Sequence, residues 1–195
     1  MATQVRLFVS AGPAEEGARE HLGRALAELP INVGWIIKRT PDIESVAECH
    51  LFALVLGHDI VAPVGLELWW ARRTEKPIVA YVPAGARTPA CQVFFQDNLY
   101  LDWRAFPDLV TLRRVFLLDI SRFLLGHLER YGVTIPEAEA LRGFVSHLEK
   151  PATIVPGRAP GREGELAKAQ GAGGGGVILA PGKDTPRGAR IVGEE

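Results

Sequence analysis

Over the first 149 residues, short apolar runs alternate with stretches whose apolar residues recur at helical spacing. Residues 5–9 (Val5, Arg6, Leu7, Phe8, Val9) are rich in strand formers and predict a first strand. Ser10-Ala11-Gly12-Pro13 follows, and Pro13 suits a first helical turn, where its missing N–H costs nothing. Ala18, Leu22, Ala25, Leu26 and Leu29 then share one helical face, and Pro30 ends that helix. A second strand is expected over 33–37, a short helix over 42–48 and a third strand over 50–56. The third strand is apolar almost throughout, the pattern of a strand buried on both faces of a parallel sheet.

Gly57-His58-Asp59 closes the third strand. A helix over 65–74, a fourth strand over 78–82 and a fifth over 98–101 continue the alternation. Such an order predicts an open, doubly wound, mostly parallel α/β sheet with helices on both faces. Ligands of these sheets bind beyond the C-terminal ends of the strands. That edge gathers Ser10, Ala11, Gly12, Gly57, His58, Asp59 and the start of the helix near Glu67.

Two further helices are expected, a long one over 107–130 and one over 136–149 that covers it. Thr134-Ile135-Pro136-Glu137 is a capping box for the second. The long helix carries a wide apolar stripe that includes Leu112, Phe116, Leu117, Ile120 and Leu124. Either it is sandwiched between the sheet and the next helix, or it forms a homo-oligomer interface.

Composition shifts after Glu149. Residues 150–195 hold 11 of the 21 glycines, 5 of the 14 prolines and no aromatic residue, which predicts a flexible tail outside the folded core. Its Gly171–Gly176 run matches GxGxxG, but no strand precedes it, so it reads as linker. Two apolar pieces within 177–192 are compatible with a short β-hairpin.

The whole chain has 22 Lys+Arg against 23 Asp+Glu, a formal net charge of −1, which argues against a nucleic-acid or anionic-membrane partner. Two cysteines, Cys49 and Cys91, give neither a disulfide framework nor a metal-ligand spacing. No apolar run is long enough to span a membrane, and residues 1–6 do not begin a signal peptide, so the cytoplasm is the expected compartment. GxxxxGK[ST], GxSxG and HExxH are all absent.

The most informative stretch is Gly65-Leu66-Glu67-Leu68-Trp69-Trp70-Ala71, followed by Glu75-Lys76-Pro77-Ile78-Val79. It resembles a signature of the nucleoside 2-deoxyribosyltransferases and the wider TIR-like superfamily. In those proteins a glutamate opens the helix after the third strand, an alanine lies one turn on, and Lys-Pro introduces the next strand. Arg6-Leu7-Phe8-Val9-Ser10 looks like the first strand and loop of TIR-like proteins. Leu54-Val55-Leu56-Gly57-His58-Asp59 resembles a strand and glycine turn in a TIR-related bacterial family of unassigned function. The resemblance covers residues 4–83; it departs at Cys49-His50, where an acidic residue commonly begins the third strand.

The resemblance implies a flavodoxin-like or TIR-like fold and chemistry at an N-glycosidic bond, with NAD or a nucleoside as substrate or ligand and no resident cofactor. Breaking that bond builds positive charge on the ribose, which a carboxylate stabilises. Glu67 takes that catalytic role by resemblance. Ser10, Ala11 and Gly12 would hold phosphate at a helix start, beside Gly57, His58 and Asp59. Trp69 or Trp70 would stack on a base.

Plainer roles stand beside these. A glutamate in a first helical turn is stabilised by the helix dipole without any catalysis. Adjacent tryptophans point in different directions, so at least one belongs to the core. His58 and Asp59 suit either an acid/base pair or a solvated loop, and His50 suits a satisfied core position. At the level of function, a nucleotide-processing or nucleotide-sensing domain in bacterial signalling or defence competes with a non-catalytic adaptor. The adaptor would self-associate through 107–130 and reach an effector protein through its tail.

Overall fold

The computed structural model describes residues 4–150. Its five strands are β1 (Gln4–Ala11), β2 (Gly34–Arg39), β3 (Leu51–Val55), β4 (Ile78–Pro83) and β5 (Trp103–Phe106). All neighbours pair in parallel, in the order β2-β1-β3-β4-β5. This is the flavodoxin-like order, and the direction of winding reverses between β1 and β3.

The helices are α1 (Glu16–Ala25), α2 (Ile43–Glu48), α3 (Ala62–Arg73), α4 (Pro89–Asp97), α5 (Leu109–Leu125) and α6 (Ile135–Glu149). Strand alternation sorts the side chains between the faces. Val5, Leu7, Val9 and Ala11 of β1 join the larger core, with α1, α5 and α6. Phe8 joins the smaller core, with α2 and α3. Ser10 shares the Phe8 face by the same alternation, which turns its hydroxyl toward α3. Phe8 and Phe52, opposite each other in the register, stack with ring centroids 5.5 Å apart. All five residues of β3 are buried, as expected for a central parallel strand.

Local signals set the helix ends. Asp42, Thr88, Asp108 and Thr134 cap α2, α4, α5 and α6 by accepting a backbone N–H, and Thr134 with Glu137 completes the expected capping box. At the C-terminus of α3, Lys76 N–H donates to the Ala71 carbonyl at 2.9 Å and Glu75 N–H to the Arg72 carbonyl at 3.0 Å. That is a Schellman motif with Glu75, at φ 52°, where glycine is usual.

Four expectations change. The fifth strand is Trp103–Phe106, not 98–101. Residues 98–101 instead form the turn that ends α4, in which Asn98 donates to the Phe94 carbonyl at 2.7 Å and the Trp103 indole to the Asn98 carbonyl at 2.8 Å. Helix α4 was not located from the sequence, although Thr88-Pro89 is its start signal. Helix α3 begins at Ala62, with Pro63 in its first turn, three residues before the expected 65.

The long helix ends at Leu125, short of 130, and its apolar stripe is covered within the chain. Leu117 is 1% exposed and Leu124 fully buried, and α6 packs against α5. The sandwiched alternative holds, and the motive for self-association through 107–130 falls away. The expected tail, its hairpin at 177–192 and the effector contact assigned to it lie outside the described residues. No described helix is long and apolar enough to cross a membrane.

Candidate active site

Three segments distant in sequence meet at the C-terminal edge of the sheet, beside the β1/β3 reversal. Ser10 is near the end of β1, Thr40 directly follows β2, and Glu67 lies on α3, which follows β3. The Ser10 hydroxyl donates to Glu67 Oε2 at 2.5 Å, and the Thr40 hydroxyl donates to the same oxygen at 2.7 Å. Ala11 N–H donates to Thr40 Oγ1 at 3.2 Å, which fixes the hydroxyl's orientation. Glu67 and Ser10 are fully buried. The other carboxylate oxygen, Oε1, is buried with no hydrogen-bond partner.

The electrostatics of Glu67 are a balance. Burial pushes its carboxyl above the ordinary 4.5. The Ser10 and Thr40 hydrogen bonds, the nearby Asp42 backbone N–H, whose geometry falls short of a hydrogen bond, and the Arg19 charge pull the other way without overcoming burial. Burial raises Asp119 on the opposite face as well, but its partners differ. Its Oδ2 accepts from Tyr81 at 3.1 Å and from the Arg104 guanidinium at 3.2 Å, so an ion pair and a hydroxyl hold it. Glu67 makes no ion pair in the described residues.

A cleft of about 370 Å³ adjoins this cluster, lined by Ala11, Pro13, Glu16, Arg19, Thr40, Pro41, Val61 and Pro63. Its walls come from the end of β1, the loops after β1, β2 and β3, α1 and the first turn of α3, and they are mostly apolar. Arg19 contributes a guanidinium paired with Glu16, and Arg19 Nη1 donates to the Thr40 carbonyl at 3.4 Å. The size and mixed lining suit a small organic ligand.

Glu67 is the sixth residue of α3, so it is not a first-turn glutamate held by the helix dipole. Two of the three residues expected to hold phosphate are already engaged: the Ser10 hydroxyl by Glu67 and the Ala11 N–H by Thr40. Gly12 caps the 3₁₀ turn before α1, and its carbonyl accepts Glu15 N–H at 3.0 Å. Gly57 packs so closely under Glu15 that a Cβ there would lie 2.7 Å from Oε1 of Glu15.

His58 and Asp59 do not pair with each other and make no hydrogen bond to Glu67. Asp59 Oδ1 accepts from the Thr88 hydroxyl at 2.6 Å and from Ile60 N–H at 2.8 Å, and these bonds hold its carboxyl below the ordinary range. His58 Nδ1 lies 2.8 Å from the Ala86 carbonyl. Together they staple the loop after β3 to the loop after β4. Trp69 is 49% exposed with the Arg73 guanidinium 5.4 Å from its ring centre, while Trp70 packs against the smaller core. Two residues on a helix is a rotation of about 200°, so Trp69 faces away from Glu67.

His50 closes the sheet's other end, where its Nδ1 accepts Arg6 N–H at 3.2 Å, a satisfied structural position. Burial pushes the Cys49 thiol up to about 11, which keeps it protonated at neutral pH. Among the described residues no three His, Cys, Asp or Glu side chains gather as a metal site. Thr40 and Arg19 were not singled out from the sequence. The available signal was positional: a loop after the strand next to β1 must end beside Ser10.

The molecule is therefore a flavodoxin-like α/β domain with a buried, partly unsatisfied carboxylate at its strand reversal. No protein-family model matches the chain, and no curated protein matches it. Among solved structures it is similar to the CMP N-glycosidase BcmB of Clostridium botulinum, at 19% identity and a TM-score of 0.44 over 56% of this chain and 96% of that one. It is also similar to a flavodoxin from the domain Archaea, at 11% identity and a TM-score of 0.38 over 71% of this chain and 99% of that one. The fold assignment rests on the strand order itself.

Proposed function

We propose that the chain binds a nucleoside or nucleotide in the cleft beside Thr40 and cleaves, or transfers at, its N-glycosidic bond, with Glu67 as the essential carboxylate. One observation carries this reading: a fully buried glutamate at the ligand-binding edge of the sheet has one oxygen anchored by two hydroxyls and the other without a partner. Leaving such a group unsatisfied is costly, and groups of this kind concentrate at functional sites.

Ser10 and Thr40 both hold Oε2, and Oε1 carries no such bond. As the base departs with the bonding electron pair, positive charge builds on the ribose ring, and the negative carboxylate stabilises it. In hydrolysis, water adds its hydroxyl to the anomeric carbon, and its proton ends on the base of a neutral nucleoside or in solvent when nicotinamide is the leaving group. In transfer, a second base takes the place of water. Ser10 holds Oε2 and so fixes the orientation of the carboxylate.

A second reading, binding without turnover, is favoured by the complete burial of Glu67. One chromatographic assay separates the two. Purified protein is incubated over a range of concentrations with NAD and a panel of nucleosides and nucleoside monophosphates, alongside Glu67→Gln. Release of free base by the parent and not by the variant is the expected result. Binding without product selects the sensor reading. Equal release by both proteins removes Glu67 from the chemistry.

A further inference from the structure

Thr40 lines the cleft, whereas Glu67 is fully buried and does not. The Thr40 hydroxyl, bonded to Oε2, is thus interposed between any molecule in the cleft and the carboxylate. The two anchors of Glu67 differ in mobility. Ser10 lies within β1, in register with Leu54 of the central strand β3, and it cannot swing away without breaking that pairing. Thr40 rides on the loop after β2, an edge strand with one partner. Its carbonyl is held by a long 3.4 Å bond from Arg19, and its hydroxyl by the bonds to Ala11 and Glu67.

We propose that Thr40 is the gate of this site: its hydroxyl caps Glu67 while the cleft is empty and gives way to a hydroxyl of the ligand when the cleft fills. The inference rests on the reading of Glu67 as the functional carboxylate. The exchange conserves the donor count at Oε2, because a ligand O–H replaces the Thr40 O–H. It therefore selects for a hydroxyl-bearing sugar. A ligand lacking that hydroxyl leaves a buried carboxylate short of a donor and binds about tenfold or more weakly. Thr40 is on this account a positioning residue, acting through Glu67.

The test is chemical access to Glu67, which needs no turnover. The full-length protein is treated with a water-soluble carbodiimide and glycine ethyl ester, and coupling at each glutamate is followed by peptide mass spectrometry, with exposed Glu44 as the internal standard. In the parent, Glu67 is expected to couple far more slowly than Glu44. Thr40→Val keeps the side-chain shape and loses the hydroxyl, and its Glu67 is expected to couple about tenfold faster, in line with loss of one hydrogen bond to a charged group. Thr40→Ser restores the hydroxyl and should restore the slow rate. Thr40→Ala provides the same readout if the valine variant does not fold.

Parental coupling at Glu67 as fast as at Glu44 overturns the gate. So does a rate unchanged by removing the hydroxyl, or one that serine does not restore. The effect of Glu67→Gln on turnover is a separate result and bears on the proposed function alone.

Discussion

Replacing Glu67 by glutamine turns the buried carboxylate into a measurement of its own charge. The amide oxygen still accepts from Ser10 and Thr40, so the two short hydrogen bonds remain possible. The amide nitrogen takes the place of Oε1, which has no partner, and its unsatisfied donors cost about 1–3 kcal/mol at every pH. The parent differs because its folded carboxyl is raised above 4.5 by burial. A raised value means the folded state holds its proton after the unfolded state has released it. The stabilisation this confers is complete below about pH 4.5 and is lost as pH rises through the folded value. Inside that window the parent loses about 1.4 kcal/mol per pH unit relative to the variant. Above it the difference is constant. Urea denaturation of both proteins from pH 4 to 8, followed by tryptophan fluorescence, gives the difference curve directly. The glutamine variant should gain on the parent as pH rises and then level off. Parallel curves would refute the claim that burial dominates. A parent that gains on the variant would mean the hydrogen bonds and Arg19 outweigh burial.

Two structural predictions concern the framework. Glu75→Gly removes a side chain from the left-handed position that closes α3 and should raise stability by about 0.5–1 kcal/mol in the same denaturation assay. Tyr81→Phe deletes the hydroxyl that Asp119 accepts and should cost about 1–2 kcal/mol, with Asp119 titrating higher by carboxyl NMR because that bond now holds it down.

The elements that sequence reading located best are those whose local pattern and burial agree. β1 and β3 read as strands because their apolar runs are core. Glu67 was legible through the resemblance of its surrounding segment, although its place in the helix was set by Ala62-Pro63, further upstream. The fifth strand was misplaced because Leu99 and Tyr100 look like core residues yet are exposed, with the Arg72 guanidinium 4.4 Å from the Tyr100 ring centre. The true strand is disguised by Arg104, which looks like a surface residue but pairs with Asp119. Thr40 carries no local signal at all. It belongs to the site only because β2 pairs beside β1, a long-range fact that no window of sequence contains. Asp59 likewise reads as a ligand-binding or solvated loop residue, and its bond to Thr88, beyond the next strand, has no local signal.

Ser10, Thr40 and Glu67 all lie in the first 67 residues, but the larger core is closed by Phe116, Leu124 and Leu141. A nascent chain therefore acquires every residue of its site long before it can cover one whole face of the sheet. A fragment ending after β5 would carry the complete cluster on a sheet with only α1 to cover that face, and its behaviour would report on aggregation rather than on chemistry. Shortening this protein to isolate its site is thus self-defeating: Ser10 faces α3, but the strand that carries it also needs α5 and α6, far from the cleft in sequence, to cover its other face.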